Sequence, residues 1–148
     1  MKEKDEGQAG KTPKPKGKQA DLEAIRPDLQ EVIERHSLTL DERRPEAVAK
    51  RREKNQRMVR ENINDLCDGH FIEYGALAVA AQRRRRSMED LIRRTPADGV
   101  VAGIGWVNRH LFGEEKARCM IIAYDYTVLA GTQGFFGHKK KDRMLRIA

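Results

Sequence analysis

The sequence predicts an α/β fold on three observations. Two apolar, β-branched runs, Gly99–Val107 and Lys116–Ala123, are close enough in the chain to pair as a hairpin. Apolar residues recur at helical spacing before them, from Leu22 to His36 and again from Val59 to Cys67. A glycine-bearing loop, Ala130–Gly134, then joins a strand-like piece to a terminal helical segment. At 148 residues there is room for one domain. Hydrophobic residues make up 39%, charged residues 36% and aromatics 5%, so the apolar supply is thin and part of the chain is expected to stay outside the core.

The elements follow in order. Residues 1–20 contain no Leu, Ile, Val, Phe, Tyr or Trp but many Lys, Gly and Pro. Such a segment cannot offset its ordering entropy by burial and reads as a disordered basic tail, at most a weak anchor for acidic partners. Residues 21–43 read as a helical N-terminal extension: Leu22, Ile25, Leu29, Val32, Ile33 and His36 share one face, with Pro27 near its start and His36 as a packing residue. Thr39–Asp41 turns the chain, and Pro45 suits the first turn of a long helix from Glu46 to about Cys67. The first half of that helix, Lys50–Arg57, is polar nearly all round and is either solvated or rests on something acidic. The second half puts Val59, Ile63, Leu66 and Cys67 on one face. Asp68-Gly69 ends the helix.

Phe71–Leu77 reads as a strand and Arg83–Arg86 as a solvent-facing run. Ser87 caps a short helix through Arg94, with Asp90 three residues on, and Pro96 stops it. Asn108–Glu115 is the loop of the hairpin, and Gly103 and Gly105 let two backbones approach within the sheet. Tyr126–Ala130 continues as a third strand, and Phe135–Ala148 as a helix through Met144, Leu145 and Ala148.

The net charge of +7 invites a nucleic-acid reading, but the excess sits at the two ends. Residues 1–20 carry six Lys against three acids, and residues 101–148 eight bases against four. Residues 21–60 have ten bases against nine acids, and 61–100 six against seven. No basic stripe along one helix is evident. Cys67 and Cys119 are far apart in apolar stretches and read as buried thiols of a reducing compartment rather than a disulfide. Without a Cys-x-x-Cys pair a zinc ribbon is excluded. No apolar run approaches the ~18–20 residues that span a bilayer, and the N-terminus resembles neither a signal nor a transit peptide. A cytoplasmic location is the default, with no membrane partner.

Conventional catalytic sets are missing: no Gly-x-Ser-x-Gly elbow, no His-Glu-x-x-His helix, no Walker loop. His70 reads as a turn residue. Tyr124-Asp125-Tyr126 offers either a site carboxylate or a local hydrogen-bond partner, and Arg83–Arg86 either a solvated face or a binding cluster. The candidate site is the loop Ala130, Gly131, Thr132, Gln133 and Gly134, whose small residues let the main chain come close to a ligand. Its backbone N–H groups, at Gly131 and Thr132 above all, can face a phosphate or an oxyanion. Lys140 and Arg143, three apart, share a helix face and can contact phosphates. By composition alone this turn is equally readable as structural.

From near Arg44 to its end the chain resembles one family, the carboxyltransferase component (β-subunit type, N-terminal part) of biotin-dependent acyl-CoA carboxylases. Val59–Glu73 is similar to the family's helix that closes on a leucine pair, an Asp-Gly turn and Phe-x-Glu. Thr95-Pro-Ala-Asp-Gly-Val-Val-Ala-Gly103 is similar to its Thr-Pro-(Ala/Gly)-Asp-Gly-Val-Val-x-Gly segment. Tyr126-Thr-Val-Leu-Ala-Gly-Thr-Gln-Gly134 resembles its Phe-Thr-Val-Phe-Gly-Gly-Ser-x-Gly loop, and His138-Lys-Lys-Lys-Asp-Arg143 follows as in the large acyl-CoA carboxylase chains.

The resemblance implies a crotonase-like ββα spiral, present in part, and carboxyl transfer from carboxybiotin to the α-carbon of an acyl-CoA. The thioester enolate formed there is stabilised by backbone N–H groups, which asks for no catalytic Ser, His or Cys. It implies an acyl-CoA substrate contacted by Ala130–Gly134, Lys140 and Arg143, biotin carried on a partner chain with its biotin carboxylase, no metal in this chain, and a homo-oligomer of the full-length protein. The family's Ser-Gly-Gly-Ala-Arg stretch and second crotonase-like half do not occur within these residues, so 44–148 is expected to be a truncated carboxyltransferase portion, inactive alone. Gly137 stands where this branch often has Asn, and Phe135-Phe136 is unusually apolar for that loop. Two rivals remain: a non-catalytic basic module binding RNA or another polyanion, and a regulatory fragment that joins full-length subunits.

Overall fold

The computed structural model describes residues 25–148; the tail expected at 1–20 and Leu22 of the first stripe lie outside the described residues. Helix α1 (Pro27–Ser37) starts with Pro27 in its first turn, where a missing N–H is tolerated. Its stripe does not pack as expected. Ile25, Leu29, Val32 and Ile33 are exposed, His36 with them, and no residue of α1 is buried. The sheet's two faces are already covered by other helices, which leaves this stripe no described surface to lie on.

The long helix expected from Glu46 to Cys67 is two helices, α2 (Pro45–Arg52) and α3 (Val59–Leu66). Between them Asn55 adopts a left-handed conformation, φ +52°. The Arg51 guanidinium holds the bend by donating to the Gln56 side chain and, at 2.8 and 3.1 Å, to the Arg57 carbonyl. Met58 then turns inward, 1% exposed, and its N–H donates to Glu61 Oε2 at 2.6 Å, capping α3. Burying Met58 requires the chain to step toward the core, and an uninterrupted helix would have carried that side chain past it. Asp68 and Gly69 end α3 in the left-handed region, with Gly69 N–H on the Asn64 carbonyl at 2.9 Å.

Three antiparallel strands form one sheet in the order β1 (Phe71–Tyr74), β2 (Val100–Trp106), β3 (Arg118–Tyr124). The first is shorter than the 71–77 expected, because Gly75, φ +64°, turns the chain out. The central strand is apolar on both sides. Val101 meets Val59 and Ile63 of α3 and Cys67 just past its end, with Phe71, Ile121 and Ala123 beside them. Val100 and Ala102 meet Met144 of α6 (Phe135–Ile147), with Met120 and Ile122 beside them. The result is three layers, helix on sheet on helix. Gly103 keeps β1 close to β2, since a Cβ there would run into the Ile72 carbonyl, and Gly105 keeps the end of α3 close to the sheet, since a Cβ there would sit 2.5 Å from Cys67 Sγ.

Helix α4 (Met88–Arg94) begins as expected, with Ser87 Oγ accepting from Asp90 N at 3.2 Å. Three other expectations fail. The hairpin connection is helical, α5 (Arg109–Ala117), entered through left-handed Asn108 and broken at Gly113. Leu111 and Phe112 point to solvent, so α5 gives no core-facing periodicity. Tyr126–Ala130 is a turn, with a 3-10 segment at Leu129–Gly131, since Asp125 folds the chain back on itself. Cys67 is buried but Cys119, on edge strand β3, is exposed.

Candidate functional site

The turn joining β3 to α6 is built on a buried ion pair. Asp125 Oδ1 accepts from Thr127 N at 2.9 Å and Thr127 Oγ1 at 2.6 Å, and Oδ2 from Arg44 Nη1 at 2.9 Å. Arg44 also donates to Thr127 Oγ1 at 2.5 Å. Burial alone would push the Asp125 carboxyl up, but the Thr127 donors and the Arg44 guanidinium overcome that and hold it below the usual carboxylate value. Of the two readings open for Tyr124-Asp125-Tyr126, the structure takes the local hydrogen-bond partner.

Beyond it Leu129, Ala130 and Gly131 lie in the left-handed region in succession, φ +49°, +54° and +74°. The two non-glycine residues each cost about 1–2 kcal/mol there, so the surroundings must hold them. Thr132 Oγ1 donates to the Leu129 carbonyl at 2.6 Å and closes the turn. A Cβ at Gly131 would come within 3.3 Å of the Tyr126 ring. Gln133 Nε2 lies 2.6 Å from His138 Nδ1 on the first turns of α6.

A second left-handed run, Ala97, Asp98 and Gly99, sits directly beneath. Asp98 is fully buried. Its Oδ2 accepts from Gly137 N at 2.7 Å, and its Oδ1 has no partner among the described residues. Gly134 packs so tightly on this carboxylate that any Cβ would collide with it. Asp98 thus supplies the negative charge favoured at a helix N-terminus and takes an N–H that a ligand phosphate would otherwise use. Gly137 has no room for a side chain, since a Cβ would stand 2.8 Å from Val100 Cγ2; the departure from Asn has a packing reason. The sequence quotes Asp98 within its Thr95–Gly103 motif, yet nothing local reveals that its carboxylate reaches α6, 39 residues away.

The same motif holds the wall of a cavity. Thr95 Oγ1 donates to the Leu91 carbonyl at 2.7 Å and accepts from Ala80 N at 3.0 Å, while Ala97 N and Asp98 N donate to the Ala76 and Ala78 carbonyls. Residues 78–85, Met88 and Phe136 line a cavity of about 910 Å³. Its floor is small and apolar, and Arg83, Arg84 and Arg85 stand at its edge. The binding alternative for the arginine run therefore has a cavity to serve. Phe136, in the first turn of α6, is the lining residue nearest in sequence to the 130–134 loop, and no residue of that loop lines the cavity.

Lys140 and Arg143 part company. Lys140 is buried, with Nζ donating to the Gly75 carbonyl at 3.2 Å; burial lowers its pKa to about 8 although Glu73 and Asp98 pull the other way. Arg143 is exposed. His70 is an exposed turn residue 3.5 Å from Arg109 Nη1. Among the described residues no group of three or more His, Cys, Asp or Glu is placed to hold a metal ion, and no helix is long and apolar enough to cross a membrane.

No family model and no curated protein matches the chain. Solved structures do. A single-chain, multi-domain long-chain acyl-CoA carboxylase is similar at 60% identity and TM-score 0.81, over 84% of this chain and 13% of its own. Two structures of transcarboxylase 12S, a hexamer forming a multienzyme core, are similar in fold at TM-score 0.60. One holds hydrolysed methylmalonyl-CoA and the other methylmalonyl-CoA with methylmalonic acid; identities are 22% and 21%, over 84% of this chain and 23% of each of theirs. The chain thus spans only a minor part of each of these proteins.

Proposed function

We propose, for a chain that belongs to the carboxyltransferase component of biotin-dependent acyl-CoA carboxylases, that its own part in the reaction is to hold the acyl-CoA. The fold is the mixed helix-and-sheet arrangement of crotonase-like carboxyltransferases. In the whole enzyme the activity would be transfer of a carboxyl group to the α-carbon of an acyl-CoA, and the segment 44–148 would be its N-terminal carboxyltransferase portion. The biotin carboxylase and the biotin carrier would be further parts of a cytoplasmic, homo-oligomeric assembly. Biotin, when present, supplies the activated carboxyl group.

The observation that carries this reading is the 910 Å³ cavity lined by residues 78–85, Met88 and Phe136 of α6. Its alanine floor suits an acyl or pantetheine chain, and three guanidinium groups at its edge suit the nucleotide phosphates of CoA. In the left-handed turn Leu129–Gly131 the Gly131 and Thr132 N–H groups donate to the Val128 and Leu129 carbonyls at 3.0 and 3.1 Å, bonds they would have to give up to meet a thioester oxygen as it gains charge. Asp98 fixes that loop from below, through Gly137 and its contact with Gly134. The buried Lys140 is a candidate for holding the cavity wall through Gly75, and Arg143 for an outer phosphate contact.

The test uses the full-length protein that contains this chain. Replacing Arg83, Arg84 and Arg85 together by Gln is expected to raise the KM for acyl-CoA at least about tenfold while kcat changes little, the pattern of lost ground-state and transition-state binding alike. An unchanged KM would overturn the assignment of the cavity.

A further inference from the structure

A second concave surface lies at the Asp125 turn itself. Between α2 and α4 is a groove of about 680 Å³ whose floor is Tyr126 and Thr127. Its walls carry an unusual concentration of positive charge. Arg43, Arg44 and Arg94 are already paired, with Glu34, Asp125 and Asp90 respectively. Lys50, Arg51, Lys54 and Arg93 have no carboxylate partner among the described residues, and Glu46 is the one acid in the lining. Four cations around one hollow with a single acid among them repel each other, an arrangement that costs stability unless an anion is bound.

The charge alone would suit any acid, but the floor narrows the choice. Tyr126 is 56% exposed, with the Arg51 guanidinium over its ring at 5.5 Å from the centroid. Arg51 is tethered there by its bonds to Gln56 and Arg57. An exposed aromatic beside a fixed guanidinium is a stacking platform for a base, and the lysines and Arg93 around it are donors for phosphate oxygens. The volume is that of a small-molecule site rather than a bed for a polymer. None of the residues lining it lines the cavity next to Phe136.

We propose that this groove binds a nucleoside di- or triphosphate, with its phosphates among Lys50, Lys54 and Arg93 and its base on the Arg51–Tyr126 platform. The site is separate from that for acyl-CoA, but it is not isolated from it. Tyr126 also lies against Gly131, so whatever settles on one side of the ring bears on the candidate loop at the other.

Binding of ATP, inorganic triphosphate and CoA to the purified chain by titration calorimetry, at low and high salt, tests the idea. The probe variants are K50Q/K54Q/R93Q, three exposed side chains, and R83Q/R84Q/R85Q as the control on the other cavity. Circular dichroism checks that each is folded. ATP is expected to bind more tightly than inorganic triphosphate, to weaken at least about tenfold in the groove variant and at high salt, and to be unaffected in the control. Three results would overturn the proposal: no ATP binding by a folded chain, ATP binding equal in wild type and groove variant, or retention of single-stranded RNA without ATP. CoA weakened by the groove variant and displaced by ATP would instead make the groove part of the acyl-CoA site and sink its independence. Because the control variant reports on the cavity alone, failure of the groove leaves the acyl-CoA reading standing, and the reverse.

Discussion

At the scale of single residues, Lys140 shows how burial sets a charge's cost. Its ammonium sits between α6 and the Gly75 turn with one carbonyl as partner. Burial lowers its pKa from 10.5 to about 8. The folded value lies below the unfolded one, so below pH 8 both states carry the proton and the native state bears the full desolvation cost. Between pH 8 and 10.5 the native state sheds the proton first, and stability rises through that window. Lys140→Met keeps the length and removes the charge. It is expected to raise the Tm at pH 7 and to abolish the rise between pH 8 and 10.5; a variant melting with the wild-type pH profile would refute this account. The sequence places Lys140 beside Arg143 by helical spacing, which is correct as geometry. Which of the two faces the core depends on where α6 lies on β2, and that is set by Gly137 against Val100.

At the scale of elements, the sheet was legible because its signals are local. Gly103 and Gly105 interrupt an otherwise β-branched run, and the close approach they imply is what the register delivers, with Gly103 opposite both Glu73 and Ile121. Gly103→Ala would drive a Cβ into the Ile72 backbone, which cannot rotate away as a side chain could. A loss of about 3 kcal/mol in urea unfolding is expected, at the upper end for overpacking; a loss below about 1 kcal/mol would mean the strands are further apart than described. The break between α2 and α3 was illegible for a complementary reason. Residues 50–57 have no apolar pattern to lose phase, and the inward turn of Met58 is decided by a cap on Glu61 and by packing that the local pattern does not contain. Likewise Tyr126–Ala130 has the composition of a strand, but Asp125 is tied to Arg44, 81 residues earlier, and the turn follows from that pair.

At the scale of the molecule, the sequence indicates which faces are apolar and not which of them find a cover. α3 and α6 both find the sheet, while α1 does not: Ile25 is 56% exposed, Leu29 46%, Val32 47% and Ile33 45%. Each of these half-exposed side chains could gain roughly 1 kcal/mol on further burial. Two such stripes meeting would gain about 8 kcal/mol against an association cost of about 4–15 kcal/mol. The gain lies inside the range of the cost, which rules out a tight dimer and makes weak, concentration-dependent self-association the most that the stripe can support. Sedimentation velocity over a wide concentration range is expected to show a reversible rise in mean mass, and L29K/I33K to abolish it. Because neither side chain belongs to the core, the Tm of that variant should move by less than about 2 °C, within the range of surface substitutions. A drop of the size a core substitution produces would mean that the stripe is buried in the folded chain. Self-association that persists in the variant would shift attention to the other exposed apolar residues, Leu111 and Phe112 of α5 and Leu145 and Ile147 of α6.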